Sequence, residues 1–194
     1  MTTLDRQIDI DYLESFENQL LERLLKEVSD QGLLNGELLA SEDLDEKWKS
    51  SAPEYMAAAV PQINEFPLAA IAWAGYFGIG AAILWDTDWE SYCDVDDLFS
   101  LIAKPRGFDC MDEYVTEGLM GYPLDGEQAK LLESIMLNCA TIAESAIRKE
   151  QIEAQSIMAF QIFARTTKVM YRIGVAISLA ILGYKYTKCS LPTT

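Results

Sequence analysis

The sequence predicts an all-α fold: an irregular helical bundle of about six to eight helices, forming a single domain over residues 1–194, with a buried hydrophobic central helix at residues 67–85. Three observations predict it. Only six prolines interrupt the chain, and none falls between Asp125 and Ile173. Apolar residues recur at offsets of three and four, the spacing of one helix face. No convincing run of alternating β-branched residues marks a strand.

The first helix is the clearest. Asp11 has the chemistry of an N-cap with Glu14 three residues on, and Leu13, Phe16, Leu20, Leu21, Leu24, Leu25 and Val28 form one stripe. Gly32 suits the position just past its end. Ser41 caps a short helix carrying Leu44 and Trp48. Ser51 and Glu54 make a second capping pattern with Pro53 in its first turn, which predicts a separate helix to about Val60. Pro61 and Pro67 impose an irregular step, since the residue before each is biased away from helix.

The segment from Pro67 to Trp85 holds nineteen residues without a charge. That is close to what a bilayer-spanning helix needs, and the small-residue spacings Ala70–Ala74 and Gly78–Ala82 suit helix pairing in lipid. Its flanks argue for a buried core helix instead. The nearest bases are Lys49 and Lys104, while Glu65, Asp86 and Asp88 crowd the ends; spanning helices carry Lys or Arg close to one side. Trp73 and Tyr76 would also sit near the bilayer middle rather than at its interface. Gly75, Gly78 and Gly80 invite neighbouring helices to approach the backbone.

Beyond Trp85 the composition changes abruptly, and DTDWESYCDVDD reads as a loop. A short helix carries Leu98, Phe99, Leu101 and Ile102 and is broken by KPRG. Another runs from about Asp109 to Leu119 and stops at Gly121 and Pro123. Asp125 caps a helix bearing Leu132, Ile135, Cys139, Ile142, Ala143, Ala146 and Ile147. RKEQIE, residues 148–153, is the bend, and the last helix presents Ile157, Phe160, Phe163, Ala164, Met170 and Ile173 onward. The twelve apolar residues 173–184 are too few to span a membrane and read as its buried end.

The net charge is −16, and it is unevenly placed: residues 1–125 hold 26 of the 31 acids but only 7 of the 15 bases. No acid follows Glu153, whereas Arg165, Lys168, Arg172, Lys185 and Lys188 do. The simplest expectation is that this basic tail lies against the acidic body of the same chain. An acidic body excludes nonspecific nucleic-acid binding and disfavours anionic lipid, and it points to a partner with a basic surface.

There is no histidine, so Ser-His, Cys-His and Glu-x-x-His chemistries are excluded. Four cysteines at 93, 110, 139 and 189 have no paired spacing for zinc and read as free thiols of a cytoplasmic protein. The opening MTTLDRQIDIDYL lacks the pattern of a secretory signal. GYFGIG lacks the Lys-Ser/Thr and the preceding strand of a phosphate-binding loop.

The candidate site is the acidic segment 86–97, with Asp86, Asp88, Glu90, Asp94, Asp96 and Asp97. Its main reading is an interaction face, extended by parts of the N-terminal third, in a non-enzymatic protein-binding or regulatory module; self-association is compatible with it. The alternative is a divalent cation, Ca²⁺ or Mg²⁺. Asp86, Asp88, Glu90, Asp94 and Asp97 fall at positions one, three, five, nine and twelve of a calcium loop, but Ser91 replaces its turn glycine and Asp97 its long Glu. Were the segment a continuous helix, Asp86, Glu90, Asp94 and Asp97 would share a face and could join Glu113 and Glu117 in a carboxylate cage of a phosphohydrolase, with Lys104 and Arg106 beside it. A second alternative is a membrane-associated helical protein.

Overall fold

A computed structural model of the chain describes residues 9–185. Among them the protein is helical with no strand. α1 runs Ile10–Asp30, α2 Glu42–Ala59, α3 Pro67–Tyr92, α4 Leu98–Ala103, α5 Met111–Glu113, α6 Glu127–Lys149 and α7 Ile157–Ile181. α5 passes directly into a π-helical turn at Tyr114–Leu119.

α3 is the centre of the bundle. Ala70, Ile71, Ala74 and every residue from Gly75 to Ala82 are buried. Its most extensive partner is α7, with α6, α2, α4 and α5 closing the other sides. Glycine sets how close α3 and α7 come. A Cβ built on Gly174 would lie 1.9 Å from the Gly75 carbonyl oxygen, and one on Gly78 would lie 2.1 Å from that of Tyr171. Backbone meets backbone here, which only residues without side chains allow. Gly80 gives Ile102 and Val115 the same access on another face. Around this seam Trp48, Tyr55, Phe77 and Tyr171 interlock, with Trp48–Tyr171 and Phe77–Tyr171 ring centroids both 5.0 Å apart. The two buried phenols find acceptors: Tyr55 donates to Ala70 O at 2.7 Å and Tyr171 to Leu44 O at 2.8 Å.

α1 does not cover α3. It lies outside, on α6 and α7, and buries Leu13, Phe16, Leu20, Leu24 and Val28 there. Its N-cap is Asp9, whose Oδ1 accepts from Tyr12 N at 3.0 Å, so Asp11 falls in the first turn. Both are two-carbon acids, and the upstream one has the extended backbone a cap requires. At the other end Gly32 has φ +82°, Leu33 N bonds Val28 O and Gly32 N bonds Ser29 O, a complete Schellman motif.

Four boundaries differ from the sequence pattern. α2 is one helix, with Pro53 inside it. Ser51 begins no new helix; it is fully buried, its Oγ accepting from Leu98 N at 3.2 Å. A tertiary partner has taken the hydroxyl that local patterning assigns to a cap. α3 does not stop at Trp85 but continues to Tyr92 through a kink at Asp88 (φ −159°, ψ 74°). α6 is preceded by Gly126 rather than capped by Asp125. In α7, Ile157 and Phe160 stay 71% and 46% exposed, so the buried face begins at Ile162 and Phe163. Ser156 supplies the cap, accepting from Ala159 N at 3.1 Å.

The basic residues of α7 meet the acidic body, as the charge asymmetry predicts. Glu17, 6% exposed, accepts from Arg165 at 2.5 Å and pairs with Lys168 at 2.6 Å. Arg172 faces Asp45 at 3.8 Å. Lys185 is exposed, and Lys188 lies outside the described residues.

Candidate functional site

The acidic segment grows out of the end of α3. Asp86 sits in the last regular turns and accepts from the Tyr184 hydroxyl at 2.6 Å. Asp88 is the kink. Its Oδ1 accepts from Ser91 N at 3.2 Å and its Oδ2 from Ser91 Oγ at 2.6 Å, so it caps the turn that follows. Asp97 caps α4, accepting from Ser100 N at 2.9 Å. Glu90, Asp94 and Asp96 are exposed and make no hydrogen bond or ion pair through their carboxylates among the described residues. Trp89 and Tyr92, the aromatics interleaved with these acids, are half-buried rather than exposed.

α2 holds this segment in place from beneath. Lys47, only 8% exposed, donates its ammonium to Cys93 O and to Val95 O at 2.7 Å, with the Trp89 ring centroid 5.6 Å away. Its one positive charge is thus committed to backbone carbonyls and an aromatic face. Ser51 fixes the start of α4 as described. At the margin Trp85 Nε1 donates to Asp43 Oδ2 at 3.2 Å. That contact ties Asp43, in the first turn of α2, to the residue before Asp86, so two acidic stretches some forty residues apart in sequence are joined at this point.

The six sequence-identified residues are accordingly close in sequence but distinct in duty: Asp88 and Asp97 cap helices, Asp86 holds Tyr184, and Glu90, Asp94 and Asp96 are uncommitted. The helix breaks at Asp88 and ends at Tyr92, so Asp86, Glu90, Asp94 and Asp97 do not share one helical face. Glu113 and Glu117 turn to Arg106, Glu113 at 3.7 Å and Glu117 closer. Among the described residues no three His, Cys, Asp or Glu side chains stand together as a group for a metal ion.

A second concave region lies at the opposite end of α3, where Phe66, Trp73 and Tyr76 meet Asp112 of α5 and Glu133, Met136 and Leu137 of α6. Sequence reading assigned Trp73 and Tyr76 to core. Tyr76 is buried, yet both border this cavity. Nothing local in the sequence links residues 76, 112 and 133; the packing of three helices does.

The chain matches no known protein-family model, no curated protein and no solved structure.

Proposed function

We propose that the protein is a non-enzymatic binding module that docks a partner protein of basic surface on the acidic face made by residues 42–43 and 86–97. The observation that carries the reading is the uncommitted state of Glu90, Asp94 and Asp96 on a segment otherwise pinned by Lys47, Ser51 and two helix caps. The backbone is held while the outward carboxylates have no cation paired to them among the described residues. A prepositioned charged surface of this kind speeds encounter and fixes register more than it adds affinity. On this reading the protein acts in the cytoplasm with its thiols reduced, takes no cofactor and uses no catalytic residue.

The test is capture of partners from a cell lysate on the immobilised full chain at low and at high salt, beside the triple variant Glu90→Lys, Asp94→Lys, Asp96→Lys. All three sites are exposed, so the variant folds. A basic protein retained at low salt, released by about 0.5 M salt and absent from the variant supports the reading, because exposed pairs are screened beyond a few ångströms at that ionic strength. Retention that ignores both salt and charge reversal would sink it.

A further inference from the structure

The open cavity between the start of α3, α5 and α6 has a volume of about 530 Å³, within the range of small-molecule sites. Its walls are of two kinds. Phe66, Trp73, Met136 and Leu137 are apolar, and Phe66 and Leu137 form an open lip, 57% and 48% exposed. Glu65, Tyr76, Asp112, Glu133 and Glu144 are polar, and among the described residues no lysine or arginine lines the space.

Two of these polar groups, Tyr76 and Asp112, have no side-chain partner among the described residues. The other two deeply buried tyrosines, Tyr55 and Tyr171, each donate to a defined acceptor. Tyr76, 5% exposed, has none among the described residues, and its side chain borders the cavity. Asp112 is half-buried with no basic side chain paired to it among the described residues. Burial, reinforced by the negative charges of Glu113 and Glu133, outweighs the backbone hydrogen bonds its carboxyl accepts at Glu113 and Asp112 and holds it above the ordinary aspartate range. Burial and then the charges of Asp112 and Glu133 push the Tyr76 phenol up as well. The nearby cations are spent elsewhere: Arg106 on Glu113 and Glu117, Arg148 on Glu144.

We propose that this cavity binds a small organic cation, an ammonium group carried on an apolar body. The ammonium would donate to the Asp112 carboxylate and to the Tyr76 oxygen, with the Trp73 face beside it. The apolar body would lie on Met136 and Leu137 and cover Phe66. An anion meets Asp112 and Glu133 with like charge. A neutral ligand leaves Asp112 uncompensated. A bare divalent ion lacks the convergent oxygens, as no such group of acids exists among the described residues. The site stands apart from the acidic face: Tyr76 and Asp86 are separated by roughly 15 Å of helix axis.

The experiment is calorimetric titration of the full chain with 2-phenylethylamine, beside 2-phenylethanol and 3-phenylpropionate. Saturable binding of the amine, at least about tenfold tighter than the alcohol and with no binding of the acid, is the expected result. Asp112→Asn should weaken the amine by about tenfold or more and leave the alcohol unchanged. Leu137→Arg, on an exposed position that does not endanger folding, should abolish amine binding by placing a cation at the lip; Glu54→Gln, exposed on α2, should change nothing. No saturation by about 10 mM amine, equal affinity for amine and alcohol, or full binding by Leu137→Arg overturns the proposal.

Discussion

Gly174 faces the carbonyl of Gly75 so closely that a methyl group on it would lie 1.9 Å from that oxygen. Neither backbone can yield without moving a whole helix, because α3 and α7 are packed along their length. Gly174→Ala should therefore destabilise the protein by about 3 kcal/mol or more, at the upper end for overpacking. Gly32→Ala offers the contrast: nothing lies within 4 Å of its added methyl, and only its φ of +82° is offended, a cost of about 1 kcal/mol. Urea unfolding of the two variants checks the ranking; a mild Gly174→Ala would mean that α3 and α7 are not in close backbone contact.

Glu17 ties α1 to α7 with one carboxylate serving two cations. Burial alone would raise its pKa, but the hydrogen bonds from Lys168 and Arg165 outweigh it and the net shift is downward from 4.5. A depressed carboxylate stabilises the fold above its unfolded pKa and loses that contribution as pH falls through the folded value. Glu17→Gln should thus lower stability at neutral pH by about 2 kcal/mol, less than a fully buried pair because Arg165 and Lys168 reach water. The loss should shrink as pH drops below about 4.5. Asp112 works in the opposite sense: its raised pKa makes the fold gain as it protonates, so Asp112→Asn should be neutral or mildly stabilising at pH 7. Thermal melts across the acid range separate the two.

The acidic segment is anchored by Ser51 and Lys47. Ser51→Ala removes the acceptor of the buried Leu98 N–H, which should cost about 1–3 kcal/mol. Lys47→Met keeps the stem but strips the donor from Cys93 O and Val95 O. Its expected effect is local: faster amide exchange and protease cleavage within residues 93–97, with little change in the rest of the bundle. Uniform loss of protection across all helices would contradict this.

Burial of α3 predicts that the untagged chain remains in the supernatant after detergent-free lysis and high-speed centrifugation. The helix at residues 67–92 is long and apolar enough to cross a membrane, yet 67% of its most apolar stretch is buried inside the bundle. Sedimentation with membranes that resists alkaline carbonate would contradict the bundle packing.

Much of the architecture is legible in the sequence because it rests on local periodicity. The α1 stripe, the stop at Gly32, the helix start at Pro67 and the glycine-rich approach surface of α3 all follow from residues within a turn or two of each other. Single-residue choices are less so. Asp9 and Asp11 are equally good caps, and only backbone geometry separates them. Ser51 and Pro53 spell a helix start, but a backbone N–H forty-seven positions away claims the serine. Asp88 sits in a polar run that reads as loop, and its own side chain allows a kinked helix to persist. The acidic face was visible as a charge run, whereas its junction with Asp43 depends on the indole of Trp85. The cavity was hidden altogether, since Tyr76, Asp112 and Glu133 belong to three different helices.

The central position of α3 has a price during synthesis. Its chief cover, α7, begins 65 residues after α3 ends. At roughly 5–20 residues per second, α3 waits roughly 3–13 s before that cover has begun to be made. Throughout that interval the growing chain displays a helix whose first nineteen residues carry no charge and are close to membrane length. A nascent chain of this protein is therefore a substrate for whatever captures apolar segments at the ribosome, and any stall between α3 and α7 exposes it to insertion or aggregation that the finished fold never risks.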